Sequence, residues 1–461
     1  MLTQQFKGKL QELIMLFKGS VDANGTKILT QITYLLYLRF ISNFSENVID
    51  NERIPGIEQD SIFETIRWDI FSKADPDTQY KLYRDYVLMF LEKNMFSSNI
   101  IREYPHDFEN LIDNPEMLAK AVRLINESYE LATACGWDNI KANGEVYDYL
   151  LDECSASHKQ AIGKTPRHIA NFMCNLTKPS IYDRIVDLFC DNGNILVSAI
   201  NHILRTGYIP PQLTKDQDGM DTLDDILNVV EGDDYLRDVI NGLLYGYDIN
   251  EMSVFFCAMN MQFHGIARPQ IKKMDALSES FDYVANSGSY NIVLVNPPFG
   301  QYTPHDNPSQ LISEYPAKRI ELLYLHRTID LLSEGGRAAI ILPEGTLFSG
   351  DKSSVAARKR LLEECKINAV FSLPAGVFRP SSSLKTSIIV FSRTWSGQGE
   401  PIWFYELDSD GYSLDNRRRK LTENPLPEAI RWFNDRNGNE KAFSVDVHEI
   451  IENNYNLSCG N

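Results

Sequence analysis

The stretch Asn291-Ile292-Val293-Leu294-Val295 followed by Asn296-Pro297-Pro298-Phe299 decides how this chain of 461 residues reads. A short continuous apolar run rich in β-branched residues is the pattern of a strand buried on both faces of a parallel sheet. The tetrapeptide then falls at that strand's carboxyl end, where open α/β sheets bind ligands. Two consecutive prolines make a rigid turn and present carbonyl acceptors without donors. An exocyclic amine of a nucleobase is a poor nucleophile, because its lone pair is drawn into the ring. An enzyme acting on it must accept hydrogen bonds from both N–H groups. The Asn296 side-chain oxygen and the Pro297 carbonyl offer two such acceptors, Pro298 stiffens the turn, and Phe299 offers a stacking face for an extruded base.

Working outward, strands alternate with helices on both sides of this run. Arg184–Cys190 reads as a first strand, with Asp187 near its end and Phe189 after it. The loop Asp191-Asn192-Gly193-Asn194 and a helix over 195–204 follow, which is the opening unit of a doubly wound nucleotide fold. A second strand over 243–248 ends in Asp248, placed to accept both hydroxyls of a ribose, and a helix spans 250–265. A third, 271–275, ends in Asp275. Downstream of Phe299, a polar loop over 301–315 is expected to be mobile until substrate arrives. A helix over 321–332 runs to a Gly335-Gly336 cap, and strands follow over 337–342, 369–373, 386–392 and, last, 403–407. A helix over 355–364 precedes the second of these. Pro210–Asp234 reads as an acidic, irregular insertion.

The segment before residue 150 has a different character. Ile28, Leu29, Ile32, Leu35, Leu36, Leu38 and Phe40 recur at helical spacing, loop signals fall at 51–59 and Pro76-Asp77, and Asp113-Asn114-Pro115 reads as a helix start. The expected organisation is a helical N-terminal domain over 1–150 and a Rossmann-like α/β domain over 151–461. At the head of the second, Thr165 as N-cap with Pro166 at the first helical position predicts a helix whose N-terminus lies beside a cofactor.

Seven scattered cysteines without a CxxC pair suggest neither a disulfide framework nor a zinc site, and the eight histidines form no ligand-spaced pair. No metal is therefore expected. The absence of a long apolar run or a secretory leader points to a cytoplasmic protein with no membrane role. A net charge of -18 argues against this chain gripping duplex DNA alone, since non-specific affinity comes from Lys and Arg on phosphates. Two runs could supply a local basic face: Arg358-Lys359-Arg360 and Arg417-Arg418-Arg419-Lys420.

These landmarks, in this order, resemble the modification subunits of type I restriction-modification systems, which are N6-adenine DNA methyltransferases. The resemblance extends over nearly the whole chain. It rests on Thr165-Pro-Arg167, Gly246-Tyr-Asp248, Asn296-Pro-Pro-Phe299, Gly335-Gly-Arg-Ala-Ala-Ile-Ile-Leu-Pro-Glu-Gly345, Leu373-Pro-Ala-Gly-Val-Phe378 with Lys385-Thr386, Trp403-Phe-Tyr405, Arg417-Arg-Arg419 and Asn454-Tyr-Asn-Leu457. It implies a fold for binding S-adenosylmethionine, with Thr165, Asp187, Phe189, Gly193, Asp248 and Asp275 around the cofactor and Asn296, Pro297, Pro298 and Phe299 around the target adenine. Phe189 and Gly193 would line the methionine end, and Asp275 the adenine edge. As partners it implies double-stranded DNA, a specificity subunit that reads the bases, and two copies of the chain per complex. Whether a restriction subunit, nuclease or translocase, joins them is left open.

One element departs from the family. Its cofactor loop is usually Asp-Pro-x-Cys-Gly-Ser-Gly-Gly, whereas here Asp191 stands in place of the first glycine and Gly193 is the one glycine kept. That departure admits a second reading, a catalytically degenerate DNA-binding or assembly subunit. Methylation of cytosine N4 or of a protein glutamine amide poses the same hydrogen-bonding problem and is a further alternative.

Overall fold

The computed structural model describes residues 3–19, 24–47, 61–95, 112–137, 139–155, 165–207, 213–215, 221–223, 242–266, 269–284, 288–394, 399–436 and 440–459. Two compact units divide them. One comprises the described residues of Met1–Ala161 together with Ala258–Pro269; the other is drawn from Ile162–Ile226, Asp233–Cys257 and Gln270–Asn461.

The first unit is helical. Gln4–Lys18 is capped by Thr3, whose hydroxyl accepts the Phe6 N–H. Its buried face (Phe6, Leu10, Leu13, Ile14, Phe17) recurs every three to four residues. Pro115–Ala134 starts as its sequence suggests, with Asn114 capping the Met117 N–H and Pro115 in the first turn. Pro76 does not break a helix. It opens Pro76–Leu82, with Asp75 accepting the Thr78 N–H, because a proline lacking a donor is tolerated in a first turn. The loop expected over 51–59 lies outside the described residues.

The second unit is built on one sheet of nine strands: β1 (Ile185–Asp187), β4 (Leu244–Asp248), β5 (Gln270–Lys273), β6 (Tyr290–Val295), β7 (Leu332–Pro343), β8 (Cys365–Leu373), β9 (Thr386–Arg393), β10 (Ile402–Glu406) and β11 (Ala442–Val445). A separate ribbon pairs β2 (Leu213–Lys215) with β3 (Asp221–Leu223); the rest of the expected insertion over 210–234 lies outside the described residues. The order across the sheet is β11-β10-β8-β9-β7-β6-β1-β4-β5. From β5 through β7 all neighbours are parallel, and β9 runs antiparallel to both β7 and β8. From β1 the chain moves outward to β4 and β5, then returns to β6 on the other side of β1. That reversal is a topological switch point, and it opens a crevice at the carboxyl ends of β1 and β6.

Three expectations about elements fail for tertiary reasons. The helix Ile320–Leu331 stops at Leu332, already extended and paired with Tyr290, so Gly335 and Gly336 do not cap it but lie in the irregular start of β7. Gly336 is needed there: a Cβ would meet the Ser333 carbonyl at 2.8 Å. β10 is not the last strand, because β11 adds antiparallel to its outer edge. The polar segment over 301–315 is not loop throughout: it contains the short helix Gln310–Glu314, where Ser309 Oγ accepts the Leu311 N–H. The Tyr302 N–H donates to the Lys318 carbonyl, Ser309 and Arg327 both bond Asp282, and Tyr315 stacks on His326 with the Arg360 guanidinium also against its ring.

Candidate active site

Strand register places the acidic and amide side chains along one edge. Asp187 ends β1 opposite Gly246, Asp248 ends β4 opposite Lys273, Asp275 lies two residues past β5, and Asn296 follows the last residue of β6. All four are buried, between 1% and 6% exposed. Burial costs a polar group dearly unless it is bonded, and each is. Asp187 accepts the Phe189 N–H at 3.1 Å, Asp248 accepts the N–H groups of Asn250 and Asp191 at 2.8 and 3.1 Å, and Asp275 accepts that of Leu277 at 2.8 Å.

The loop between β1 and its helix forms a tight turn, with the Gly193 N–H donating to the Cys190 carbonyl. Asp191 occupies the left-handed region at φ 44°, which aspartate reaches more readily than most residues. Gly193 has φ 83°, and a Cβ there would come within 3.0 Å of the Cys257 sulfur. The one retained glycine is therefore fixed by both conformation and space, whereas the loop makes its turn with aspartate at 191. Asn192 Oδ1 accepts the Asn194 N–H at the start of the following helix, Asn194–Gly207. Phe189 is half-buried, edge-on to Tyr324 at 6.4 Å.

Electrostatically this edge gathers carboxyl groups whose ionisation is disfavoured by burial and by one another. Burial pushes the Asp187 carboxyl well above the usual range, with Asp248 and Asp191 adding to the effect. Burial lifts Asp248 to about 7 despite its bond from the Asn250 N–H, and Asp191 again contributes. Asp275 is raised by burial. A ligand bringing positive charge together with hydroxyl and amine donors would favour their ionised, accepting form.

The Asn296 carboxamide is held from the neighbouring helix. Its Nδ2 donates to Thr165 Oγ1 at 3.0 Å, while the Thr165 carbonyl accepts from Asn194 Nδ2 at 2.8 Å. Thr165 is thus not the helix cap its sequence suggests. Pro166 takes the N-cap position of Arg167–Thr177 with no side-chain cap bond, which leaves the threonine hydroxyl to Asn296. Pro297 is buried, and Pro298 and Phe299 are half-buried. Gly300, at φ 124°, closes the turn, and its N–H donates to the buried Glu321 carboxylate at 3.0 Å. Nothing in the sequence marks Glu321 as a support of the turn, since it lies 21 residues away and reads as an ordinary first-turn acid.

The run Arg358-Lys359-Arg360 does not form a basic face. Arg358 is 1% exposed and donates to the carbonyls of Tyr455, Thr346, Ser349 and Asn454, while Arg360 pairs with Asp330 and Glu364.

The profile of the N-6 DNA methylase family matches residues 139–461. The chain is 24% identical to the methylase subunit of the type I restriction enzyme EcoEI from Escherichia coli, over 97% of this chain and 88% of that one. Its fold resembles the methyltransferase subunit of a type I restriction-modification system from Streptococcus thermophilus, at a TM-score of 0.70, 17% identity and 99% coverage of each chain. A chain of another solved type I system gives a TM-score of 0.70 at 21% identity, covering 99% of this chain and 91% of that one.

Proposed function

Because the chain belongs to the N-6 DNA methylase family, we propose that the edge formed by β1, β4, β5 and β6 transfers a methyl group from S-adenosylmethionine to N6 of an adenine extruded from double-stranded DNA. The observation that carries the reading is the buried Asn296, turned by Thr165 at the switch point, next to a rigid Pro-Pro-Phe turn. Bound S-adenosylmethionine supplies an electrophilic methyl group on a sulfonium centre.

The donor set fits that cofactor. Asp248 can take up ribose hydroxyls, Asp275 the amine edge of its adenine, and Phe189, Gly193 and Thr165 the methionine end, while the positive charges of the cofactor would favour the ionised form of the buried carboxyls. The remaining work falls to the turn. Asn296 Oδ1 and the Pro297 carbonyl accept from the two N–H groups of the target amine, which raises electron density on nitrogen and aims its lone pair. Phe299 stacks on the extruded ring, and Pro298 keeps the turn from relaxing. No covalent enzyme intermediate is needed. Rate enhancement comes from holding amine and methyl donor in line at about 3 to 3.5 Å. The proton leaving N6 after transfer passes to the acceptors at Asn296 or to solvent.

We further propose that the chain is the modification subunit of a type I system, with a specificity subunit reading the bases and two copies of the chain per complex. The fold likeness and the near full-length match to EcoEI's methylase subunit support this reading. Calorimetric titration of the purified chain with S-adenosylmethionine tests the cofactor assignment. One site per chain is expected, and no heat of binding at any concentration would leave only an assembly role.

A further inference from the structure

The loop 410–420 carries the basic run Arg417-Arg418-Arg419-Lys420, and its anchoring differs from that of an ordinary surface turn. Asp410 is 0% exposed and receives bonds from two cationic or potentially cationic side chains, His168 Nε2 at 2.8 Å and Arg418 Nη2. The His168 ring stacks on Tyr412 with centroids 4.4 Å apart. The loop closes on itself through the Ser413 N–H to the Arg419 carbonyl at 2.7 Å, the Arg419 N–H to Ser413 Oγ at 2.8 Å, and Arg418 Nη1 to the Ser413 carbonyl at 2.8 Å. Arg418 sits at φ 46°, a conformation an L residue adopts only where surrounding bonds over-determine it.

This geometry splits the run. Arg418 turns inward as the strut, and Arg417 and Arg419, on either side of it, are exposed. The strut ends on His168, in the first turn of Arg167–Thr177 and three residues after Thr165, the residue that holds Asn296. The loop is thereby tied, through Asp410 and His168, to the same chain segment that holds Asn296 through Thr165. The other basic run has its two arginines consumed internally, as described above, and its Lys359 is paired with Glu363.

We propose that the loop 410–420 is a preorganised phosphate clamp, in which Arg417 and Arg419 grip the DNA backbone beside the extruded base while Arg418, Asp410 and His168 hold the loop at a fixed distance from Asn296. The proposal rests on the methyltransferase reading and adds to it the surface that receives the duplex. Phosphate contacts of this kind fix register without reading sequence, which suits a chain whose bases are read by another subunit. They also place positive charge where a chain of net charge -18 needs it.

The test compares the full-length wild type with the double variant Arg417→Ala/Arg419→Ala and with Lys359→Ala as a charge control. Binding of a fluorescein-labelled unmethylated duplex is followed by anisotropy across a salt series starting at low ionic strength. Each lost phosphate contact should lower the slope of log affinity against log salt by about 1, so the double variant should lose about 2 from the slope and roughly tenfold in affinity at low salt. The control should match the wild type. An unchanged slope and affinity in the double variant would overturn the clamp, as would a wild type that binds no duplex at any salt. Titration of the same samples with S-adenosylmethionine separates this from the parent reading: absence of cofactor binding by the wild type overturns the methyltransferase assignment, whereas normal cofactor binding with an unchanged salt slope overturns the loop's role alone.

Discussion

Asp191→Gly is the most informative single change, because it removes the residue by which the proposed cofactor loop departs from the pattern its resemblance implies. The backbone contribution is close to balanced. An L residue in the left-handed region pays roughly 1–2 kcal/mol, less for aspartate, while glycine pays roughly 0.5–1 kcal/mol in unfolded-state entropy. The charge contribution is one-sided. The Asp191 N–H lies 3.1 Å from Asp248 Oδ2, which puts the two carboxylates within a side chain's length of each other. At about 6 Å and an effective dielectric of about 20, two like charges repel by about 3 kcal/mol; the half-exposed position of Asp191 reduces this to about 1 kcal/mol.

Asp248, raised to about 7, is ionised only above that pH in the folded chain. The repulsion is therefore present at about pH 8 and gone at about pH 5, where the folded state carries Asp248 neutral. Urea unfolding should show the glycine variant more stable than wild type by about 1 kcal/mol at the higher pH and little changed at the lower. Calorimetry should show S-adenosylmethionine binding about fivefold tighter, since the removed charge also opposes the methionine carboxylate. Weaker cofactor binding would refute this reasoning: Asp191 would then make a favourable contact, for instance with the cofactor ammonium, and the loop would be a functional variant rather than an eroded one.

Asn296→Ala should abolish methyl transfer while leaving the unfolding midpoint and cofactor affinity near wild type, and transfer within a few-fold of wild type would remove Asn296 from catalysis. Asp248→Ala should weaken S-adenosylmethionine binding by about 1–3 kcal/mol. In the wild type that affinity should rise as pH passes upward through about 7, because the ionised carboxylate binds and the protonated one does not; a flat profile would mean Asp248 contacts no cofactor hydroxyl. Thr165→Val removes the acceptor that turns the Asn296 carboxamide, so kcat should fall by up to about 100-fold while Thr165→Ser restores most of it. Equal kcat for both variants would show that the carboxamide is held without the hydroxyl.

Much of the framework of the candidate site was legible because its signals are local. An apolar β-branched run ending in Asn-Pro-Pro-Phe announces a strand and its carboxyl-end turn within nine residues, and Asp187 and Asp248 mark strand tips in the same way. Capping chemistry was legible at Asn114 and misleading at Thr165, where a partner 131 residues away outcompetes the local N–H groups for the hydroxyl. The two basic runs look alike in sequence. Only the fold shows that one has its arginines buried against backbone carbonyls and carboxylates, while the other keeps two guanidinium groups outside a buried strut. Glu321 beneath Gly300 and the antiparallel edge strand β11 likewise arise from contacts that no period or motif encodes.

The central claim is that this chain methylates N6 of adenine in DNA. Incubating it with unmethylated duplex and methyl-labelled S-adenosylmethionine, digesting the DNA to nucleosides and separating them tests that claim directly. The label is expected in N6-methyldeoxyadenosine. Label in N4-methyldeoxycytidine, or in protein glutamine rather than DNA, would contradict it.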